Sequence, residues 1–336
     1  MAPFFSVVIP THNRRSLLDA CLRSLDQQTL APSDFEVVVV DDASDDGTDY
    51  LLSTRSSRYR LRHIRLSRGG PGAARNAGVA IARGIVIAFT EDDVVVAPDW
   101  LERAKKRFEA DDRISIVDGW TSYPGRNSSV RQFEDDNAGL PAFIPCNLFI
   151  RRKAFHAVGG FDEAFWDPQT KLYFREDSDL GFRLLSAGYR VQVAPDVVVE
   201  HPQQFTSLRD CFRHARRYVM DPLLYKKHPR HFRRMIEAKS LLGVHVWRPL
   251  HYVALIYAIA LLLVITAVLL RNWGLVALSS VLALGLMTIF RYRYQKLRAF
   301  HLHRLDQLFP FAVLPLVYLA SVVQGCVRHR SFRLLV

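Results

Sequence analysis

Apolar residues are distributed in two ways along this chain, and the change comes about two thirds of the way through. In the first part, short β-branched runs alternate with segments whose apolar positions recur every three or four residues. Residues 4–9 read as a first strand closed by Pro10. Leu17, Leu18, Cys21, Leu22 and Leu25 then share one face of a helix. Residues 35–40 form a near-continuous buried strand that runs into a turn-rich stretch, 41–48. A weaker strand is predicted at 61–66, an Ala-rich helix opens in the glycine-rich stretch 69–78, and a fourth strand spans 85–89. Pro98 suits the first turn of a helix reaching to about Phe108, and another strand follows at 114–117. Beyond Trp120 the pattern loosens into a strand, a short helix and a turn over 147–163. Then come a helix at 176–187 stopped by Gly188 and short strands at 189–193 and 197–200. This alternation predicts an α/β domain of βαβ units around a mostly parallel central sheet.

The later part reads differently. Residues 205–252 are basic with interleaved apolar positions, which fits either amphipathic helices lying on a membrane surface or a solvated helical pair. Three apolar stretches follow, at about 253–270, 273–290 and 308–327, with no acid or lysine in any of them. At 1.5 Å per residue each is roughly 27–30 Å long, about the thickness of the hydrocarbon core. Only Arg271 and Asn272 separate the first two. The basic stretch 291–304 is expected on the cytoplasmic side. Pro310 and Pro315 interrupt the third stretch, and Arg328, Arg330 and Arg333 follow it. That stretch is therefore either a third span or a re-entrant segment. The expected organisation is a catalytic domain over 1–204, interfacial helices over 205–252 and a multi-pass membrane region over 253–336.

Charge adds a partner. The 336 residues carry a net charge of +12, so anionic partners are expected. The excess is concentrated at 209–248 and 291–304, beside the apolar runs, which favours anionic lipid headgroups over nucleic acid. No zinc-finger or RNA-binding signature argues otherwise. Four scattered cysteines, without a C-x-x-C pair, fit a reducing compartment and exclude a disulfide framework. The N-terminus has no basic region ahead of its apolar run, so the globular part is expected in the cytoplasm.

The chemistry concentrates where the fourth strand ends, in Glu91, Asp92 and Asp93. Three adjacent carboxylates repel one another, and a divalent cation bridging to phosphate oxygens would relieve that repulsion. Such an edge is where ligands bind in open α/β sheets. Alone, the trio is as well read as a solvated acidic loop.

The other motifs change that balance. They are Ser6-Val-Val-Ile-Pro-Thr-His-Asn13, Val39-Val-Asp-Asp-Ala-Ser-Asp-Asp-Gly-Thr48, Ala74-Arg-Asn-Ala-Gly78, Phe89-Thr-Glu-Asp-Asp93, Gly159-Gly-Phe-Asp162 and Arg175-Glu-Asp-Ser-Asp-Leu-Gly-Phe-Arg183. In this order and spacing the chain resembles the family 2 inverting glycosyltransferases of GT-A fold, over about residues 4–201. The resemblance implies a nucleotide-binding half (1–119) and an acceptor half (120–204). It places Pro10, Thr11, Asn13, Asp41 and Asp42 at the nucleotide, and Arg75 and Asn76 at the pyrophosphate. The last two fit an anion site at a helix N-terminus. Glu91, Asp92 and Asp93 fill the place of the family's D-x-D motif. Asp93 is the first choice as ligand to Mn²⁺ or Mg²⁺. Asp92 is assigned to the ribose or the metal and Glu91 to the donor, although many members carry Asp at the Glu91 position. His201 matches a further metal ligand in some relatives, or is an ordinary edge-loop histidine. Asp177, with Glu176 beside it, matches the family's catalytic base. The helix N-terminus should lower its pKa and burial against Phe174 raise it. Asp179 is spaced to pair with Arg183. Asn147, Arg131 and Trp166 are candidates for the acceptor wall, with packing an equal claim on Trp166.

The expected activity is metal-dependent transfer, with inversion, from a UDP-, GDP- or TDP-sugar to a lipid-linked or membrane-proximal acceptor. Two other readings compete. A processive polysaccharide synthase would carry Gln-x-x-Arg-Trp, but 213–218 lacks both the Gln and the Trp. A non-catalytic sugar-nucleotide-binding module would have no use for Asp177.

Overall fold

In the computed structural model, residues 2–122, 141–201, 208–241, 244–247, 249–297 and 309–332 are described. The chain divides into two units, residues 1–203 and 204–336.

The first unit is built on the β-branched runs. β1 (Phe5–Thr11), β2 (Phe35–Asp41) and β4 (Val86–Phe89) are almost wholly buried, as expected of parallel strands covered on both faces. β3 (Arg60–Arg65) lies outside β2 and alternates exposed and half-buried residues. α1 (Arg15–Asp26) buries Leu18, Cys21, Leu22 and Leu25. α2 (Thr48–Thr54), a short helix, was not foreseen. α3 (Gly70–Ile81) lies directly on the sheet because Gly78 has no side chain there. A Cβ would come within 2.5 Å of Val8 Cγ1 and 3.1 Å of Val40 Cγ2.

β5 (Val95–Val96), α4 (Trp100–Ala110), β6 (Ile114–Ser122), β7 (Leu148–Arg151) and α5 (Arg152–Ala157) follow. A small hairpin of β8 (Trp166–Asp167) and β9 (Leu172–Tyr173) then leads into α6 (Glu176–Ser186) and β10 (Arg190–Glu200). The eight-stranded sheet has the order β3-β2-β1-β4-β7-β6-β10-β5. Strands β3, β2, β1 and β4 are parallel, and so are β6 and β10. β7 runs antiparallel to both β4 and β6, and β5 antiparallel to β10. The chain steps outward from β1 to β2 and β3 on one side and to β4 on the other. The switch point thus lies between the carboxyl ends of β1 and β4, where α/β sheets take their ligands.

Several sequence expectations shift here. β1 continues through Pro10 to Thr11, with Pro10 opposite Val40. β6 runs on to Ser122, and the two short strands expected near 189–200 are one strand, β10, with an irregularity between Ala194 and Val198. Asn147 is not a wall residue. It is buried, accepts the Trp100 indole N–H at 2.8 Å, and donates to the carbonyls of Trp120 (2.9 Å) and Val197 (2.8 Å). One amide thereby satisfies polar groups on three elements. Arg131 lies outside the described residues.

In the second unit, α7 (Leu208–Arg217) buries Cys211 and Ala215 and exposes Arg209, Arg213 and Arg216. α8 (Asp221–Lys227) follows. β11 (Ala238–Leu241) pairs antiparallel with β12 (Val244–Trp247), where helix was expected. The apolar stretches become α9 (Pro249–Leu269), α10 (Trp273–Leu297) and α11 (Phe309–His329). α10 continues past the apolar stretch, so Arg291, Arg293 and Lys296 ride on a helix and not in a loop. Among the described residues, two segments, His251–Leu269 and Ala312–His329, are long and apolar enough to cross a membrane, whereas the apolar part of α10, Trp273–Ile289, is shorter. Only 22% of the first segment is buried within the protein, unlike the core helix of a soluble domain. α11 is fixed by Tyr318, whose hydroxyl lies 2.9 Å from His251 Nδ1 and whose ring meets Tyr218 edge-on at 4.5 Å. Tyr257 donates its hydroxyl to the Ala312 carbonyl.

Candidate active site

β1 delivers Thr11 to the switch point and β4 delivers Glu91, Asp92 and Asp93. His201 arrives directly after β10, its backbone N–H held by the Ser122 carbonyl at 2.8 Å. Glu91, Asp93 and His201 converge, with one ligand atom from each within 4.8 Å of the others. His201 Nε2 is 3.4 Å from Asp93 Oδ1 and 3.9 Å from Glu91 Oε2. Two carboxylates and an imidazole suit a divalent first-row ion, with the oxygens also suiting magnesium.

Asp92 lies outside that trio. Its Oδ2 accepts the Thr11 hydroxyl at 2.7 Å, and its Oδ1 accepts from Arg14 at 3.0 Å. The same Arg14 nitrogen donates to Asp93 Oδ2 at 2.8 Å. Burial pushes the Asp92 carboxyl up to about 6, against the pull of Arg14 and the Thr11 hydroxyl. Burial also opposes the charge on Arg14, but Asp92 and Asp93 outweigh it and hold the guanidinium above its ordinary value. Since the folded pKa of Asp92 lies above the ordinary 3.8, the charged carboxylate is the disfavoured form. Its stabilising contribution is full below pH 3.8 and is lost as pH rises through about 6. In metal-free buffer at neutral pH, Asp92→Asn should therefore be more stable than wild type by on the order of 2 kcal/mol. Melting curves across pH will check this, because the difference should close as pH falls towards 4.

Arg75, in the second turn of α3, is buried at 2% exposure. Its Nη2 donates to Glu91 Oε1 at 3.0 Å, and its Nη1 lies 3.8 Å from Glu176 Oε1. The guanidinium sits 5.5 Å from the Phe161 ring centroid, and its Nε and Nη1 have no hydrogen-bond partner among the described residues. Arg75 thus joins the acids after β4 to those opening α6. Glu176 is buried, whereas Asp177 is half-buried with Oδ1 accepting the Ser178 N–H at 2.6 Å. Asp179 pairs with Arg183 at 2.7 Å, as its spacing predicts.

The remaining expected contacts are occupied by the fold itself. Asp42 accepts the N–H groups of Gly69 (2.6 Å) and Gly70 (3.0 Å), so its carboxylate caps α3 and occupies both amides. Asp41 accepts from the Ser44 N–H and from Arg65. Asn13, at φ 53°, bonds the loop after β2 through Ser44 and Asp45. Asn76 faces the backbone of Phe161. Its amide brackets Phe161, accepting the N–H and donating to the carbonyl, each at 2.8 Å. Arg14 was missed. The available signal was its place in the loop leaving β1, facing a strand end that carries three acids.

Residues 6–161 match glycosyl transferase family 2, and residues 85–322 match glycosyl transferase family group 2. The chain belongs to glycosyl transferase family 2. Among its relatives in the family is the validoxylamine A glucosyltransferase of Streptomyces hygroscopicus, 30% identical over 57% of this chain and 50% of that protein. This chain therefore spans about half the length of that relative. Succinoglycan biosynthesis protein ExoO of Rhizobium meliloti is 32% identical over 62% of this chain and 67% of its own length. The family 2 sheet also recurs in a mannosyltransferase of Pyrobaculum calidifontis, solved in complex with GDP-Man and Mn²⁺. That structure aligns with a TM-score of 0.59 at 20% identity, over 98% of this chain and 88% of that one. The fold is thus of the GT-A type.

Proposed function

We propose that this family 2 enzyme moves a sugar, with inversion, from a nucleotide diphosphate donor to a lipid-linked or membrane-proximal acceptor. The observation that carries this reading is Arg75, a buried guanidinium that links Glu91 to Glu176 and has two nitrogens without a hydrogen bond among the described residues. A guanidinium in that position suits a diphosphate.

Asp177 is the proposed base. It sits half-buried at the start of α6 and takes the proton from the acceptor hydroxyl as that oxygen attacks the anomeric carbon. Attack from the face opposite the diphosphate turns an α-linked donor into a β-linked product. Thr11, Asp41, Asp42 and Asn13 shape the edge of the sheet where the nucleoside would lie. Glu91, Asp93 and His201 are the proposed holders of Mn²⁺ or Mg²⁺, which supplies positive charge against the diphosphate leaving group. Membrane association through the C-terminal helices is supported by the exposed apolar side chains of α9, among them Leu255, Ile259, Leu262 and Ile265. The exposed arginines of α7 suit anionic headgroups. The catalytic unit is proposed to face the cytoplasm.

The test is donor hydrolysis and binding by detergent-purified protein across UDP-, GDP- and TDP-sugars, with and without Mn²⁺ or Mg²⁺. Metal-dependent release of one nucleotide is the expected result. Neither release nor binding of any donor would reduce the assignment to fold alone.

A further inference from the structure

Arg14 stands between β1 and α1, and one of its nitrogens is shared by Asp92 and Asp93. The two acids are nearly inaccessible, with side chains 5% and 2% exposed, while the arginine side chain is 42% exposed. The acids cannot follow the guanidinium outward, because Asp92 is tied to the Thr11 hydroxyl and both sit in the short loop after β4. Arg14 is thus the exposed member of the cluster and the carboxylates its buried ones. Asp93 also belongs to the trio with Glu91 and His201. The arginine therefore neutralises the carboxylate whose charge a divalent ion would need, and two cations drawing on one acid oppose each other.

On the functional reading given above, we propose that Arg14 is a resident counter-cation. It keeps the acids neutralised while the donor is absent and transfers to the donor's diphosphate when that arrives. A guanidinium pairs well with either partner. Metal and nucleotide then strengthen each other's binding by the same factor, as linkage requires. Part of that factor comes from Arg14.

The experiment is Mn²⁺ binding to the full chain in detergent, followed by the electron paramagnetic resonance signal of the free ion. Wild type, Arg14→Gln and Arg14→Lys are each titrated alone and with UDP or GDP. Arg14→Gln is expected to bind Mn²⁺ about tenfold more tightly than wild type without nucleotide and to gain less from nucleotide. Arg14→Lys keeps the charge and should stay near wild type. Unchanged or weaker Mn²⁺ binding by Arg14→Gln, at a wild-type melting temperature, would overturn the proposal and leave Arg14 as a structural clip. If Arg14→Gln does not fold, Arg14→Met decides in its place. No Mn²⁺ bound by any variant, with or without nucleotide, would overturn the metal reading itself and the proposal with it. Equal Mn²⁺ affinities, raised equally by nucleotide, would overturn the proposal alone.

Discussion

Asp177→Asn is expected to lower sugar transfer by about a thousandfold with little change in stability. A positioned general base contributes roughly 10²–10⁴ in rate, and an amide of the same shape cannot accept the proton. Its oxygen can still accept the Ser178 N–H, so the first turn of α6 keeps that contact. Donor binding should survive, since the diphosphate is assigned to Arg75 on another helix. Steady-state transfer with the preferred donor, beside a binding isotherm and a melting curve, separates these effects. Activity within tenfold of wild type would move the base elsewhere in the site.

Two residues along the same helix the expected outcome reverses. Asp179→Ala should lower stability by about 3–5 kcal/mol, the usual cost of removing one partner from a buried pair. Asp179 is fully buried, and its partner Arg183 also donates to the carbonyls of Val158 and Gly160. The deletion leaves the arginine without its carboxylate and frees a joint between α6 and the turn after α5. For a unit of this size the melting temperature should fall by roughly 10 °C. A fall of less than about 2 °C would show that Arg183 is held by the two carbonyls alone. Neighbouring acids on one helix thus divide into the proposed base and a structural group, and burial separates them.

That division shows what the sequence could and could not reveal. The Asp179–Arg183 pair was legible because helix geometry fixes which residues four apart can meet. The parallel strands β1, β2 and β4 were legible because strands covered on both faces are written as unbroken β-branched runs. The antiparallel insertion of β7 between β4 and β6 was not, since Leu148–Arg151 would look the same in either direction. The acids after β4 announced themselves, but their partition did not. Asp92 turns to Thr11 and Arg14 because of a contact across 81 residues of chain. Asn76 shows the same limit. A polar side chain on a helix carries no mark of the distant backbone it will bracket. Asn147 has a local pattern no different from that of a pocket residue, and only the sheet shows that it serves Trp100, Trp120 and Val197.

The bracket made by Asn76 bears on how such enzymes can be recombined. Both ends of its amide grip the backbone of Phe161, one on each of the peptides that flank it, and the preceding residue is Gly160, where a Cβ would come 2.7 Å from Asn76 Oδ1. The joint uses backbone on one side, so it does not depend on which side chain stands at 161. It does depend on the asparagine in one half and the glycine in the other. A hybrid that joins residues 1–119 of this chain to a foreign continuation is expected to close correctly when the graft brings a glycine to position 160. With any bulkier residue there, the Asn76 amide and the Phe155 ring must both give way, and the grip on Phe161 is lost first.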